Sequence, residues 1–150
     1  MYAKWGEFGK IYLPNANRTG YTFANWYTSA SGGTSKGGSG AQYQPTGATT
    51  LYAHWTANKY NVTFDGNGGR VIGTSPREVT YGDSYGELPS AEHDEYAFKG
   101  WFTGATDGNK VESSTIVAIA GDHTLYAHWK DGKMTLTFNA NLGYFEDDVP

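Results

Sequence analysis

Few residues here have chemistry to offer, and the four histidines come first, because a neutral imidazole is a common metal ligand and proton carrier near neutral pH. His54 and His128 lie in two near-identical hexamers, Thr50-Leu51-Tyr52-Ala53-His54-Trp55 and Thr124-Leu125-Tyr126-Ala127-His128-Trp129. A metal site needs ligands at short fixed spacing, such as His-x-x-x-His, or a converging set of thiolates and carboxylates. The chain has no cysteine and no such spacing, so no metal and no cofactor is expected, and a repeated His position reads as a repeated surface contact. Asp65-Gly66-Asn67-Gly68-Gly69 alternates oxygen ligands as a calcium loop does, but Arg70-Val71-Ile72-Gly73 follows, without the late bidentate Glu such a loop requires. That stretch is expected to be a turn. Glu92, Asp94 and Glu95 cluster before an apolar run; acid–base catalysis would need burial and an opposing partner, so they read as a solvated loop. The glycine-rich stretch 32–40 lacks the Gly-Lys-Ser/Thr ending and strand-to-helix setting of a phosphate loop. No catalytic residue is expected.

Aromatic side chains are the remaining candidates, at 16% of the sequence. Rings build small cores and also binding patches. Trp26, Trp55, Trp101 and Trp129 recur at matched positions and are expected in cores, whereas Tyr52, His54, Tyr126 and His128 share the opposite face of their hexamers and form the candidate contact surface.

The elements that must position these residues follow from alternation. In each hexamer Leu, Ala and Trp point one way, Tyr and His the other, the period of a strand with one buried face. Tyr60-Asn61-Val62-Thr63-Phe64-Asp65 is a second such strand, followed by an Asn-Gly turn; Glu78-Val79-Thr80-Tyr81 is a third. Leu88-Pro89 begins a polar connection to a fourth strand, Tyr96-Ala97-Phe98-Lys99-Gly100-Trp101-Phe102. Strict alternation would put Trp101 opposite Tyr96 and Phe98, so a bulge near Gly100 is expected to return the indole to the core. Val111 to Ala120 reads as a short helical turn or irregular segment.

These elements recur. Leu13-Pro14 matches Leu88-Pro89 and Tyr21 to Thr28 matches Tyr96 to Thr103 at an offset of 75; the hexamers match at 74, as do Met134-Thr135-Leu136-Thr137-Phe138 and the strand at Tyr60. Repetition divides the chain into residues 1–55, an incomplete module lacking its opening strand; residues 56–129, a complete module; and residues 130–150, the opening strand and turn of a third. By register, the glycine-rich stretch is a mobile loop inside the first module rather than a linker between domains.

Composition bounds the rest. The 150 residues hold 21 Gly and are 17% charged, a β-rich profile. Without cysteine, disulfide scaffolds are excluded. The net charge of -4 divides into +3 over residues 1–55, -5 over 56–129 and -2 beyond, leaving no basic stripe for nucleic acid. No apolar run nears the ~18 residues of a membrane span, so no membrane insertion is expected.

The constellation Tyr60-x-Val62-x-Phe64-Asp65-x-Asn67-Gly68-Gly69, Tyr81-Gly82, Leu88-Pro89, Phe98-x-Gly100-Trp101-Phe102-Thr103 and Leu125-Tyr126-Ala127-His128-Trp129 resembles the Listeria-Bacteroides repeat, the internalin B-type repeat of bacterial surface proteins. The first module departs from it at Asn25, where the pattern has Gly. The resemblance implies a mostly β (α+β) fold of tandem small β-grasp-like modules, each a short mixed sheet with at most one short helix. It further implies a non-enzymatic spacer or adhesion segment of a secreted or cell-wall attached protein, whose signal peptide and anchor are not in this chain, with a cell-surface protein or glycan as partner. A carbohydrate-binding module using exposed aromatics is the alternative. The incomplete ends admit two readings. Either the 150 residues are cut without regard to module boundaries, or Met134, Thr135, Leu136, Thr137 and Phe138 of one chain complete the first module of another, giving head-to-tail self-association.

Overall fold

A computed structural model describes residues 9–132. In chain order its strands are β1 (Ile11–Tyr12), β2 (Tyr21–Tyr27), β3 (Ser35–Gly37), β4 (Gln42–Tyr43), β5 (Tyr52–Ala57), β6 (Lys59–Asp65), β7 (Arg70–Ile72), β8 (Arg77–Thr80), β9 (Ser90–Glu92), β10 (Tyr96–Phe102), β11 (Lys110–Val111) and β12 (His123–Asp131). The described residues contain no helix, so the fold is mostly β, and Val111 to Ala120 is irregular after its first residue.

The complete module is built on a five-stranded mixed sheet in the order β11-β10-β12-β6-β8. Its first strand, β6, and its last, β12, run parallel at the centre, with Leu125 opposite Phe64 and His123 opposite Val62. Val62, Phe64 and Tyr60 alternate with polar neighbours, and so do Leu125 and Ala127, so one face of the sheet is apolar. Trp101, Val79 and Val111 of the same sheet join them with Val117, Tyr85 and Ala91 in one continuous buried cluster. Trp101 is 1% exposed and meets Phe64 edge-on with ring centroids 4.9 Å apart.

The expected bulge is present. The pairing of β10 with β12 shifts between Phe98 and Gly100, where Gly100 takes a φ of 137° that side-chain-bearing residues rarely adopt. The extra residue rotates Trp101 inward, and its indole Nε1 donates to the Pro89 carbonyl at 2.7 Å. The repeated Leu-Pro pair therefore supplies the acceptor for a buried indole.

The first module repeats this scheme in a smaller sheet, β3-β2-β5, beside the pair β1-β4. The β2–β5 register shifts between Phe23 and Trp26, and Trp26 Nε1 donates to the Pro14 carbonyl at 2.8 Å, the counterpart of the Trp101–Pro89 bond. Two expectations are corrected. Part of the glycine-rich stretch is strand β3, paired with β2 through Trp26 opposite Gly37 and Tyr27 opposite Ser35, rather than loop throughout. The polar connection after Leu88-Pro89 contains β9, which pairs with β7 through Val71 opposite Ala91 and buries Ala91.

Only Asn58 separates β5 from β6, and it is held from both sides. Its N–H donates to the Gly20 carbonyl and its own carbonyl accepts from Tyr81 N–H, both at 2.9 Å. Its side-chain Oδ1 accepts from the Thr22 hydroxyl at 2.5 Å. Over it Tyr21 of the first module meets Tyr81 of the second edge-to-face, centroids 5.5 Å apart. Gly20, at φ 78°, lies so close that a Cβ there would overlap the Tyr81 ring.

Candidate functional site

The repeated histidines occupy identical settings in the two modules. On β5, His54 stacks on Tyr27 of β2 with centroids 3.8 Å apart, and its Nε2 lies 2.9 Å from the Ser29 carbonyl. On β12, His128 stacks on Phe102 of β10 at 3.9 Å, and its Nε2 lies 2.7 Å from the Gly104 carbonyl. A carbonyl only accepts, so Nε2 carries the hydrogen in both rings. Each imidazole thus fastens the loop that leaves the neighbouring strand. The loops are themselves duplicates: Thr28 Oγ1 accepts from Thr34 N–H at 3.0 Å, Thr103 Oγ1 from Asn109 N–H at 2.9 Å. Tyr52 is exposed and lies opposite Tyr27; Tyr126 is half-buried and lies opposite Phe102. Each Tyr/His pair shares one strand face within its own module. The strand-addition candidates Met134 to Phe138 lie outside the described residues.

The Asp65 turn is a structural tie. Asn67, at φ 46°, takes its own N–H to Asp65 Oδ1 at 2.8 Å, while its Nδ2 donates to the carbonyls of Ala105 and Ala127 at 2.8 and 2.9 Å. The amide thereby joins three segments, and Trp129 Nε1 donates to the Gly66 and Asn67 carbonyls, each at 3.1 Å, closing the same corner. Glu92 forms an exposed ion pair with Arg70 at 2.6 Å, and Lys59 one with Glu78 at 2.7 Å. The hydrogen bond to Glu78, with the attraction of its charge, raises the Lys59 ammonium above its ordinary range; a pair this exposed contributes little to stability. Among the described residues no three His, Asp or Glu side chains cluster as metal ligands would.

One polar pair in the core went unread in the sequence. Tyr85 is buried, and its hydroxyl lies 2.7 Å from Nε2 of His123, whose Nδ1 lies 2.9 Å from the Gly121 carbonyl. Nδ1 must donate to that carbonyl, so in the neutral ring Nε2 accepts the Tyr85 proton. Burial pushes the Tyr85 phenol up from its ordinary range. Two pentapeptides, Gly33-Thr34-Ser35-Lys36-Gly37 and Gly82-Asp83-Ser84-Tyr85-Gly86, also have the spacing of a nucleophile elbow. Ser35 sits on β3 and Ser84 bridges to Ile116, so neither stands at a strand-to-helix turn, and both nitrogens of His123 are engaged elsewhere.

A markedly apolar groove lies on the first module. Ile11, Leu13, Pro14, Trp26, Tyr43 and Leu51 line about 330 Å³ of open space. Trp26 and Leu51 are half-buried there, whereas their counterparts Trp101 and Leu125 are 1% and 0% exposed, with Phe64 of β6 against both. The outer edge of β5 has no strand beside it among the described residues.

The sequence profile of the Listeria-Bacteroides repeat domain matches twice, at residues 6–54 and 60–128. The chain belongs to the Listeria-Bacteroides repeat family. The two matched segments end at His54 and His128, 74 residues apart, the spacing of the repeated hexamers. Internalin H of Listeria monocytogenes serovar 1/2a (strain ATCC BAA-679 / EGD-e) is 37% identical over 112 residues, 75% of this chain and 20% of that protein. A protein of Evansella cellulosilytica carrying the provisional name Gly-rich membrane protein is 36% identical over 95 residues, 62% of this chain and 10% of that protein. Another from the same bacterium, provisionally named a membrane protein, is 35% identical over 102 residues, covering 67% and 15%. The chain thus spans a fifth or less of the relatives it matches. No solved structure matches it significantly. It is a repeat module of a family found in bacterial surface or membrane proteins. Among the described residues no helix is long and apolar enough to cross a membrane.

Proposed function

We propose that this chain is a non-enzymatic spacer and adhesion segment of an extracellular or wall-attached bacterial protein, in which successive Listeria-Bacteroides repeats form a stiff array. The single observation that carries the reading is the one-residue junction at Asn58, bonded to both modules through backbone and side chain. A flexible string of beads would have a polar linker there. Histidines and tryptophans that would have to be free for chemistry instead fasten loops and fill cores. The repeated tyrosine position, exposed at Tyr52 and half-buried at Tyr126, is the surface offered to a protein or glycan partner.

The open groove adds self-association. In the complete module Phe64 pairs with Leu125 and meets the Trp101 ring edge-on, with Val62 in the same buried cluster; Leu136 and Phe138 are the equivalents of Val62 and Phe64 at an offset of 74. A strand Met134 to Phe138 from a second copy, laid parallel to the outer edge of β5, would put those two side chains into the groove and pair the edge. Light scattering tests this on the full chain and on a chain ending at residue 133. The full chain is expected to associate with rising concentration and the shortened one to remain monomeric; equal masses for the two overturn strand addition. The glycan reading has less support, because the exposed rings Tyr12, Tyr52 and Tyr96 lie on three different strands.

A further inference from the structure

The corner tied by Asn67 also holds the chain's only Asn-Gly pair, Asn67-Gly68. An asparagine amide is open to attack by the main-chain nitrogen that follows it, and a glycine there, with no Cβ, lets that nitrogen reach Cγ most easily. The sequence carries its own comparison. An offset of 74 takes Asn67-Gly68 to Asn141-Leu142, where a side chain hinders the same attack.

In the folded module the reaction is opposed by bonding rather than by burial. Asn67 and Gly68 are both exposed, so water reaches them. Yet both hydrogens of Asn67 Nδ2 are in use, one on the Ala105 carbonyl at 2.8 Å and one on the Ala127 carbonyl at 2.9 Å. That nitrogen is the leaving group, and it cannot depart without breaking both bonds. The backbone around it is held as well, by the Asn67 N–H on Asp65 Oδ1 at 2.8 Å and by the Trp129 indole on the Asn67 carbonyl at 3.1 Å.

We propose that Asn67-Gly68 is a self-modification site gated by unfolding, and that its conversion keeps an opened module from closing again. Once the corner opens, the Gly68 nitrogen attacks Asn67 Cγ, the Cγ–Nδ2 bond breaks, and Nδ2 leaves as ammonia with the proton that Gly68 gives up. Water then opens the five-membered imide. Addition at Cγ yields an aspartyl residue; addition at the main-chain carbonyl carbon yields an isoaspartyl link. Neither product fits the corner. An aspartate at 67 has no hydrogens for the two carbonyls and stands beside Asp65, so both acceptors lose their donor. An isoaspartyl link adds a methylene to a turn without slack, where a Cβ on Gly66 would already overlap the Gly69 carbonyl and the Gly69 N–H donates to the Gly66 carbonyl at 2.9 Å.

The chemistry is the same whether the array adheres or only spaces. Peptide mass spectrometry, with fragmentation that separates aspartyl from isoaspartyl products, follows both asparagines in the full chain at neutral pH with and without urea. Asn67 should convert at least about tenfold more slowly in the folded chain than in urea, because its reaction waits on opening of the corner. In urea it should convert at least about tenfold faster than Asn141, whose neighbour Leu142 has the side chain that Gly68 lacks. Gly68→Ala, measured in urea where its own fold plays no part, should bring the two rates together. After removal of urea, unconverted chains should regain the original urea midpoint and converted chains a lower one, as should Asn67→Asp made directly. Equal rates at Asn67 with and without urea, an unaltered rate in Gly68→Ala, or converted chains that regain the original midpoint would each overturn the proposal.

Discussion

The side chains that looked most chemical turn out to spend their polar atoms on the chain itself. His128 gives its Nε2 hydrogen to the Gly104 carbonyl and its face to Phe102, so His128→Ala should cost about 1 to 2 kcal/mol, the sum of one hydrogen bond and one ring contact. Urea denaturation of the full chain reads this directly. Tyr85 carries a pH dependence. The folded state binds its phenolic proton more tightly than the unfolded chain does, so the stability this confers is complete below the unfolded value near pH 10 and declines as pH rises beyond it. Between pH 8 and 11 the unaltered protein should lose more stability than Tyr85→Phe. At pH 8 the variant should already be about 1 kcal/mol less stable, because His123 Nε2 loses its donor.

At the scale of the elements, the inward-turned indole is the keystone. Trp101→Ala should cost about 3 to 5 kcal/mol, while Gly100→Val should cost about 1 to 3 kcal/mol by forcing a β-branched residue into a left-handed backbone. A lowered urea midpoint marks the first, and a lowered thermal midpoint the second. The bulge was legible because alternation fails there by one residue and a glycine stands at the failure. Repetition made the sheet legible too, since a strand seen twice at offsets of 74 and 75 needs no propensity argument. Other features were not legible. The pairing of Val71 with Ala91 joins two runs of three residues, too short to show a period, and β3 is written in Ser, Lys and Gly, residues a loop would also use. The stacking of each histidine on an aromatic of the neighbouring strand depends on cross-strand register, which no single segment contains.

For the whole molecule, the question is whether two small modules behave as one body. Each is near the size at which a single core is marginal, so neighbour contacts should contribute to stability as they do in other repeat arrays. Asn58 carries several of those contacts, and it was not singled out from the sequence. The first module, with its groove unfilled, should be the less stable of the two and should lose more than the second when the junction is cut. Nitrogen-15 relaxation on the full chain at low concentration tests the central claim of a stiff array. Residues of β2 and β5 should report the same rotational correlation time as those of β10 and β12, and Asn58→Ala combined with Tyr81→Ala should separate the two values. Different correlation times for the two modules in the unaltered protein would contradict the account.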